Sequence, residues 1–165
     1  LVYDGINGNG DGKLQDDPGW SFAYNQGTFI GAALELYNIT QENVYLQDAL
    51  KTANHMIVNP VMSPSGIMRS SDNGDGGLFN GIGVRYLTLL ILNSSTPTGA
   101  RQTYVDYLQK NAETLWLKGT QRPKVIFNHN FTTMPGSIGY LNPMLSGCML
   151  MEAMALLSEK GYLQE

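Results

Sequence analysis

The chain has 165 residues, 42% of them hydrophobic and 15% charged, with a formal net charge of −4. That length supports a domain-sized core, and an ordinary apolar content with a small net charge excludes a disordered chain. Ten basic residues against fourteen acidic, with no basic run, argue against a nucleic-acid surface, and the single cysteine, Cys148, forbids an internal disulfide or a cysteine-based zinc cluster. No uninterrupted apolar run approaches the ~20 residues of a membrane helix.

Helical periodicity dominates along the chain. Residues 22–37 place Phe22, Phe29, Ile30, Ala33, Leu34 and Tyr37 on one 3.6-residue stripe, predicting a helix closed by Asn38 and Thr40. Thr40 is the expected N-cap of a second helix over 41–58, with Val44, Leu46, Ala49, Leu50, Ala53, Met56 and Ile57 inward and Pro60 beyond its end. Two helices joined by so short a turn form an αα-hairpin. The loop Asp72-Asn73-Gly74-Asp75-Gly76-Gly77 leads into a third helix over 79–92, and Asn93-Ser94-Ser95-Thr96-Pro97 into a fourth over 98–117. That fourth helix should turn Tyr104, Tyr107, Leu108, Ala112, Leu115 and Trp116 to the core. The long connection 118–142 holds a β-like run, Lys124-Val125-Ile126-Phe127, and a last helix spans 143–160 before Gly161, a residue suited to the left-handed helix stop.

Three helices start alike. Asn25-Gln26-Gly27, Asn80-Gly81-Ile82-Gly83 and Ser146-Gly147-Cys148 each put small residues in the first turns, where helix ends can converge closely. The starts lie about 55–65 residues apart, the spacing of a repeated helical hairpin. The partner helices between them are longer and more charged. The pattern reads as an all-α fold, an αα-hairpin toroid with inner and outer rings and only about two and a half hairpins present. A free-standing helical bundle is the simpler alternative, but it has no need of long Gly-, Asp- and Asn-rich loops before the inner helices. The abrupt opening at Leu1-Val2-Tyr3 reads as a piece of something longer.

The most informative segment for chemistry runs from Trp20-Ser21-Phe22-Ala23-Tyr24-Asn25-Gln26 to Gly31. Two amides, a phenol and an indole gather at a helix start. Amides both donate to and accept from sugar hydroxyls, and aromatic faces suit the C–H surface of a pyranose. An N-cap with aromatic core packing is the plainer reading of the same residues.

Four blocks occur in order: Leu1-Val2-Tyr3-Asp4-Gly5-Ile6, Tyr24-Asn25-Gln26-Gly27-Thr28-Phe29-Ile30-Gly31-Ala32, Gly76-Gly77-Leu78-Phe79-Asn80-Gly81-Ile82-Gly83-Val84-Arg85-Tyr86-Leu87 and Leu145-Ser146-Gly147. Together they closely resemble glycoside hydrolase family 76, the endo-α-1,6-mannanases. The resemblance implies an (α/α)6 barrel, with residues 1–165 as the C-terminal portion of that single catalytic domain and the N-terminal half absent. It implies retaining endo-hydrolysis of α-1,6-mannan, with this chain forming part of the substrate cleft. The family's adjacent catalytic aspartates would lie upstream, so no catalytic residue is expected here and the chain alone should be inactive. Asp4, Trp20, Tyr24, Asn25, Gln26, Asp75 and Arg85 are the expected substrate-binding residues. Two carboxyls suffice for this chemistry, so no metal or other cofactor is expected. The expected partners are α-mannan polysaccharide or oligosaccharide and the other half of the barrel, with no nucleic acid and no membrane span. A polymeric substrate implies a secreted, periplasmic or cell-surface location. A non-catalytic carbohydrate-binding helical module is the alternative function, and a structural helical-repeat protein a third.

Asp16-Asp17-Pro18-Gly19-Trp20 superficially matches an acid pair followed by Trp, but it stands directly before the Tyr24 block and reads as a solvated loop. Asn7, Asn9, Asp11 and Gly12 match a calcium-loop spacing, yet Pro18 occupies the position of the bidentate acid, which favours a turn without metal. His55 reads as structural, and His129 as a loop residue. Arg85, two turns into an apolar helix, is costly unless paired or hydrogen-bonded, so it reads either as a clamp on loop carbonyls or on an acid such as Asp75 or Glu152, or as a sugar contact.

Overall fold

The computed structural model describes residues 1–4 and 21–163. Their helices are α1 (Ala23–Thr40), α2 (Asn43–Val58), α3 (Phe79–Leu92), α4 (Thr98–Lys118) and α5 (Leu141–Glu159). Short 3₁₀ turns occupy Pro64–Gly66 and Asp75–Leu78, and a two-residue antiparallel pair joins β1 (Thr120–Gln121) to β2 (Ile126–Phe127). The β-like run thus contributes only a small hairpin, because Val125 sits at φ 55° and turns the chain.

The helices form two rows. α1 packs on α3 and α3 on α5, while α2 lies against α1 and α4 against α3 and α5. The inner row owes its spacing to glycine. A Cβ on Gly27 would stand 2.9 Å from the Gly83 Cα, and one on Gly81 would stand 2.9 Å from the Ser146 Cα. Neither neighbour is a flexible side chain, so the backbones of α1, α3 and α5 approach only because these positions lack a side chain. Ser146 completes the contact: its Oγ accepts from the Gly81 N–H at 2.9 Å and donates to the Gly77 carbonyl at 2.7 Å.

Between the rows lie Ile30, Leu34, Ala49, Ala53, Met56, Leu87, Ile91, Tyr104, Leu108, Leu115, Leu150 and Leu157, all buried. Three residues expected inward are not: Phe29 is 40% exposed, Val44 55% and Trp116 40%. Phe29 falls on a stretch of α1 left uncovered by α2 and α3, and the Arg122 guanidinium, 4.9 Å from the Trp116 ring centre, covers that indole instead of the core. Leu36, Leu89 and Leu145 are also exposed on the inner helices, whereas Ala33 and Leu87 are buried.

The helix ends follow local chemistry. α1 runs through Thr40 and stops at Gln41 in the left-handed region, φ 59°, whose N–H bonds the Tyr37 carbonyl at 2.8 Å. Thr40 is therefore not the N-cap of α2, a position held by Glu42. Its hydroxyl donates to the Leu36 carbonyl at 2.9 Å and accepts the Glu42 N–H at 3.2 Å, bracing the tight turn. Gly161, φ 74°, ends α5 as expected, with the Tyr162 N–H reaching the Leu157 carbonyl at 2.9 Å. By length and composition α5 could cross a membrane, although no single apolar run in the sequence does so. In this fold it is an inner helix, packed on α3 and α4.

Candidate functional site

The close contacts among α1, α3 and α5 bring the starts of the inner helices together, and most of the polar and aromatic candidates gather there. The Asn25 side chain works in two directions. Its Oδ1 accepts the Phe22 N–H at 3.1 Å, capping α1, and its Nδ2 donates to Asp4 Oδ1 at 3.2 Å. Asn25 is buried and Asp4 exposed, so a carboxylate on the N-terminal segment is held at the mouth of the helix by an amide that cannot move away.

Gln26 has a different role from the one expected. It is fully buried, its Oε1 accepts the Val2 N–H at 2.9 Å, and its Nε2 donates to the Val2 carbonyl at 2.5 Å and the Phe22 carbonyl at 3.4 Å. With both amide groups occupied it anchors the N-terminal segment to α1 rather than presenting itself to a ligand. This correction makes Gln26 the support of Asp4, two residues beyond Val2.

Three rings form a floor at the starts of α1 and α3. Tyr24 lies 4.4 Å from Phe79 and 6.2 Å from Phe22, and Phe22 lies 5.1 Å from Phe79, measured between ring centres. All three are half-buried, so each contributes to packing and retains an open part. The Arg69 guanidinium sits 4.7 Å over the Phe22 ring and donates to the Ser21 carbonyl at 3.0 Å. Burial lowers the Arg69 pKa from its usual value, and the group remains a cation at neutral pH. Buried Asn80, from the first turn of α3, donates to the Arg69 carbonyl at 3.0 Å and fixes the segment that carries the guanidinium.

Asp75 is exposed at the start of the 3₁₀ turn that leads into α3. The same loop is tied to α5 through Asn142, which donates to the Gly74 carbonyl at 2.9 Å. Arg85 does not join this group. It is exposed, its guanidinium lies 5.9 Å from the Tyr86 ring, and it borders a groove of about 320 Å³ between α3 and α5 that Leu89, Met149 and Glu152 also line. Among the described residues Arg85 makes no ion pair with Asp75 or Glu152. Trp20, the Asp16-Asp17 pair and the Asn7-Asn9-Asp11 loop lie outside the described residues.

His55 bonds Asn59 Nδ2 at 2.9 Å at the end of α2, and desolvation lowers its pKa. His129 Nδ1 lies 2.8 Å from Ser70 Oγ. Among the described residues no three His, Cys, Asp or Glu side chains group to hold a metal ion.

Sequence reasoning missed Arg69, Asn80 and the ring of Phe79 as neighbours of the site. Phe79 and Asn80 lie within the third of the four sequence blocks and could have been found there. Arg69, a lone cation after an apolar pair, carries no local signal.

The sequence profile described as Glycosyl hydrolase family 76 matches residues 1–163. The solved structure of the GH76A alpha-1,6-mannanase from Salegentibacter sp. HEL1_6 is 41% identical, over 89% of this chain and 43% of its own, with a TM-score of 0.83. An inactive variant of that enzyme with two consecutive aspartates replaced, solved with alpha-1,6-mannotetrose, gives a TM-score of 0.84. The Lin0763 protein from Listeria innocua is 35% identical, over 99% of this chain and 45% of its own, with a TM-score of 0.83. No curated protein sequence matches the chain. The chain therefore spans less than half the length of these solved relatives, and its helical hairpins correspond to about half of an α/α barrel.

Proposed function

The chain belongs to glycosyl hydrolase family 76, and from that membership we propose that its protein hydrolyses α-1,6-mannan internally with retention of anomeric configuration, this chain forming one wall of the cleft. The observation that carries the reading is the Asp4 carboxylate, fixed by Asn25 at 3.2 Å, at the same helix start that carries the half-open Tyr24 ring packed on Phe79. A carboxylate that accepts hydroxyl protons next to aromatic faces suits a neutral pyranose.

Retaining hydrolysis uses two carboxyls roughly 5–5.5 Å apart, one attacking the anomeric carbon and the other protonating the leaving oxygen, then activating water. We assign that pair to residues outside this chain, and Asp16 and Asp17 to a loop role. Asp4 accepts from a mannose hydroxyl, Tyr24 and Trp20 offer their faces, and Asn25 orients Asp4. Asp75 at the rim and Arg85, two turns further along α3, are additional contacts. Because two carboxyls suffice, the proposal includes no cofactor. A polymeric mannan substrate places the protein in a secreted, periplasmic or cell-surface setting.

The test is incubation of the full-length protein with linear α-1,6-mannan. Oligosaccharide release with retained configuration is the expected result. Binding without release would favour a non-catalytic carbohydrate-binding module, and neither would sink the reading. The 165-residue chain alone is expected to show no turnover.

A further inference from the structure

Beyond the inner-helix starts, the connection from α2 to α3 forms the wall of a second recess. Residues Ile67, Met68, Arg69 and Ser70 on one side, with Asn130 and Thr132 on the other, line a pocket of about 400 Å³. That volume falls in the range of small-molecule sites, roughly 300–1,000 Å³.

The segment has little regular structure, yet buried Asn111, Ser63 and Tyr107, together with exposed Lys110, hold it in place. Asn111 of α4, fully buried, accepts the Met68 N–H at 2.8 Å and donates to the Gly66 carbonyl at 3.2 Å. Lys110 donates to the Ser65 carbonyl at 2.8 Å, and Ser63 Oγ is bonded to both the Met56 carbonyl and the Tyr107 hydroxyl. Ser70 Oγ lies 2.8 Å from His129 Nδ1, tying the segment to the connection between α4 and α5. The buried bonds of Asn111, Ser63 and Tyr107 pin an irregular stretch into a preformed recess rather than a loose loop.

The lining suits a sugar. Ile67 and Met68 give an apolar floor for a C–H face, while Ser70, Thr132 and Asn130 bring hydroxyl and amide groups to the rim. Asn130 Oδ1 is occupied by the Thr132 N–H and Oγ1 at 3.0 and 2.8 Å, and its Nδ2 has no partner among the described residues. Arg69 connects the two places, since it lines the recess and also covers the Phe22 ring of the aromatic floor.

We propose that this recess is a branch subsite, taking a pyranose substituent carried by the mannan backbone; the inference rests on the function proposed above. The place of the recess beside the aromatic floor decides the ligand. A 1,6-linked backbone is joined through C1 and C6 and leaves the hydroxyls at C2, C3 and C4 free to carry substituents sideways. The recess is held from α4, in the outer row, and adjoins the aromatic floor through Arg69. In this proposal the backbone lies over the aromatic floor, and a substituent leaving it sideways enters the recess past Arg69.

The test compares linear with singly branched α-1,6-mannan oligosaccharides on the full-length protein. Asn130→Asp keeps the Oδ1 acceptor that shapes the loop and removes the Nδ2 donor, and Thr132→Val removes the rim hydroxyl. For each variant kcat/KM on the branched substrate should fall about fivefold, the scale of one lost hydrogen bond, with less than about a twofold change on the linear one. An unchanged branched-to-linear ratio in both variants overturns the branch subsite, whether both rates fall together or neither moves. Wild-type turnover of linear mannan reports separately on the underlying function, so the two readings fail independently.

Discussion

The inner and outer rows are built from different materials. Where α1, α3 and α5 meet, glycines stand against backbone at Gly27 and Gly81 and against the Tyr86 ring at Gly31, and Asn25, Gln26, Asn80 and Ser146 are buried near these helix starts. Where α2 and α4 meet their neighbours, the contacts are Leu46, Ala49, Met56, Leu108 and Leu115, with Tyr104 bonding Asn54 at 2.9 Å and Tyr107 bonding Ser63 at 2.7 Å. The outer row gains its stability from apolar area. The inner row gives up side-chain volume for close approach and uses amides to hold the loops at its starts, where the candidate site lies.

The largest expected effect breaks that distinction directly. Gly83→Val places a branched side chain against Ala23, whose Cβ would lie 2.9 Å from the new one and whose carbonyl oxygen would lie 3.1 Å away. A loss of about 3 kcal/mol in urea unfolding is expected, because backbone cannot step aside as a side chain can. Gly99, in the first turn of α4, has nothing within 4 Å of the place a methyl group would occupy, so Gly99→Ala should lie within about 0.5 kcal/mol of wild type or above it. Equal losses at the two positions would remove the basis for treating the rows differently.

Next comes Gln26→Leu, close in volume but unable to bond Val2. Two backbone groups lose their partners, and about 2 kcal/mol of stability should go with them. Hydrogen exchange at the Val2 amide should accelerate more than at Leu87 in the core. Protection retained at Val2 would show that the N-terminal segment is held by something other than this amide.

Asn25→Ala tests position rather than packing. It frees Asp4 and removes the cap on the Phe22 N–H. Misplacement of a positioning group predicts a loss of roughly tenfold in mannan turnover by the full-length protein. Asn25→Asp retains the cap acceptor but repels Asp4, so it should restore stability without restoring turnover. Recovery of both would make Asn25 a helix cap alone.

These same residues explain what the sequence revealed and what it concealed. Helix periodicity located α3 at 79–92 in full, because its buried stripe is unbroken, and the glycine-rich starts announced the inner row. Phe29, Val44 and Trp116 misled because an apolar residue at helical spacing looks the same whether a neighbour covers it or not. Tyr24 and Asn25 were legible as candidates because polar and aromatic groups at a helix start are conspicuous. Gln26 looked identical to them, and only its two bonds to Val2, 24 residues away in the chain, separate anchor from contact. Arg69 was invisible for the reverse reason, since its place over Phe22 depends on the whole path from α2 to α3.

The smallest effect belongs to the outer row and appears only at high pH. Burial raises the Tyr104 phenol to about 12 and the Tyr107 phenol further still. In the unfolded chain both titrate near 10. Above that pH the unfolded state loses protons that the folded state keeps, so stability is full below about pH 10 and falls as the pH rises toward and through the folded values. Tyr107→Phe should cost about 1 kcal/mol at pH 7 for the bond to Ser63, whose Oγ remains paired with the Met56 carbonyl. It should also make the decline between pH 9 and 11 shallower, since one titrating phenol remains instead of two. Denaturant midpoints across that range read both quantities, and an unchanged alkaline slope in the variant would mean that Tyr107 does not keep its proton through burial. The buried polar groups at the inner-helix starts, Asn25, Gln26, Asn80 and Ser146, have no proton to lose in this range.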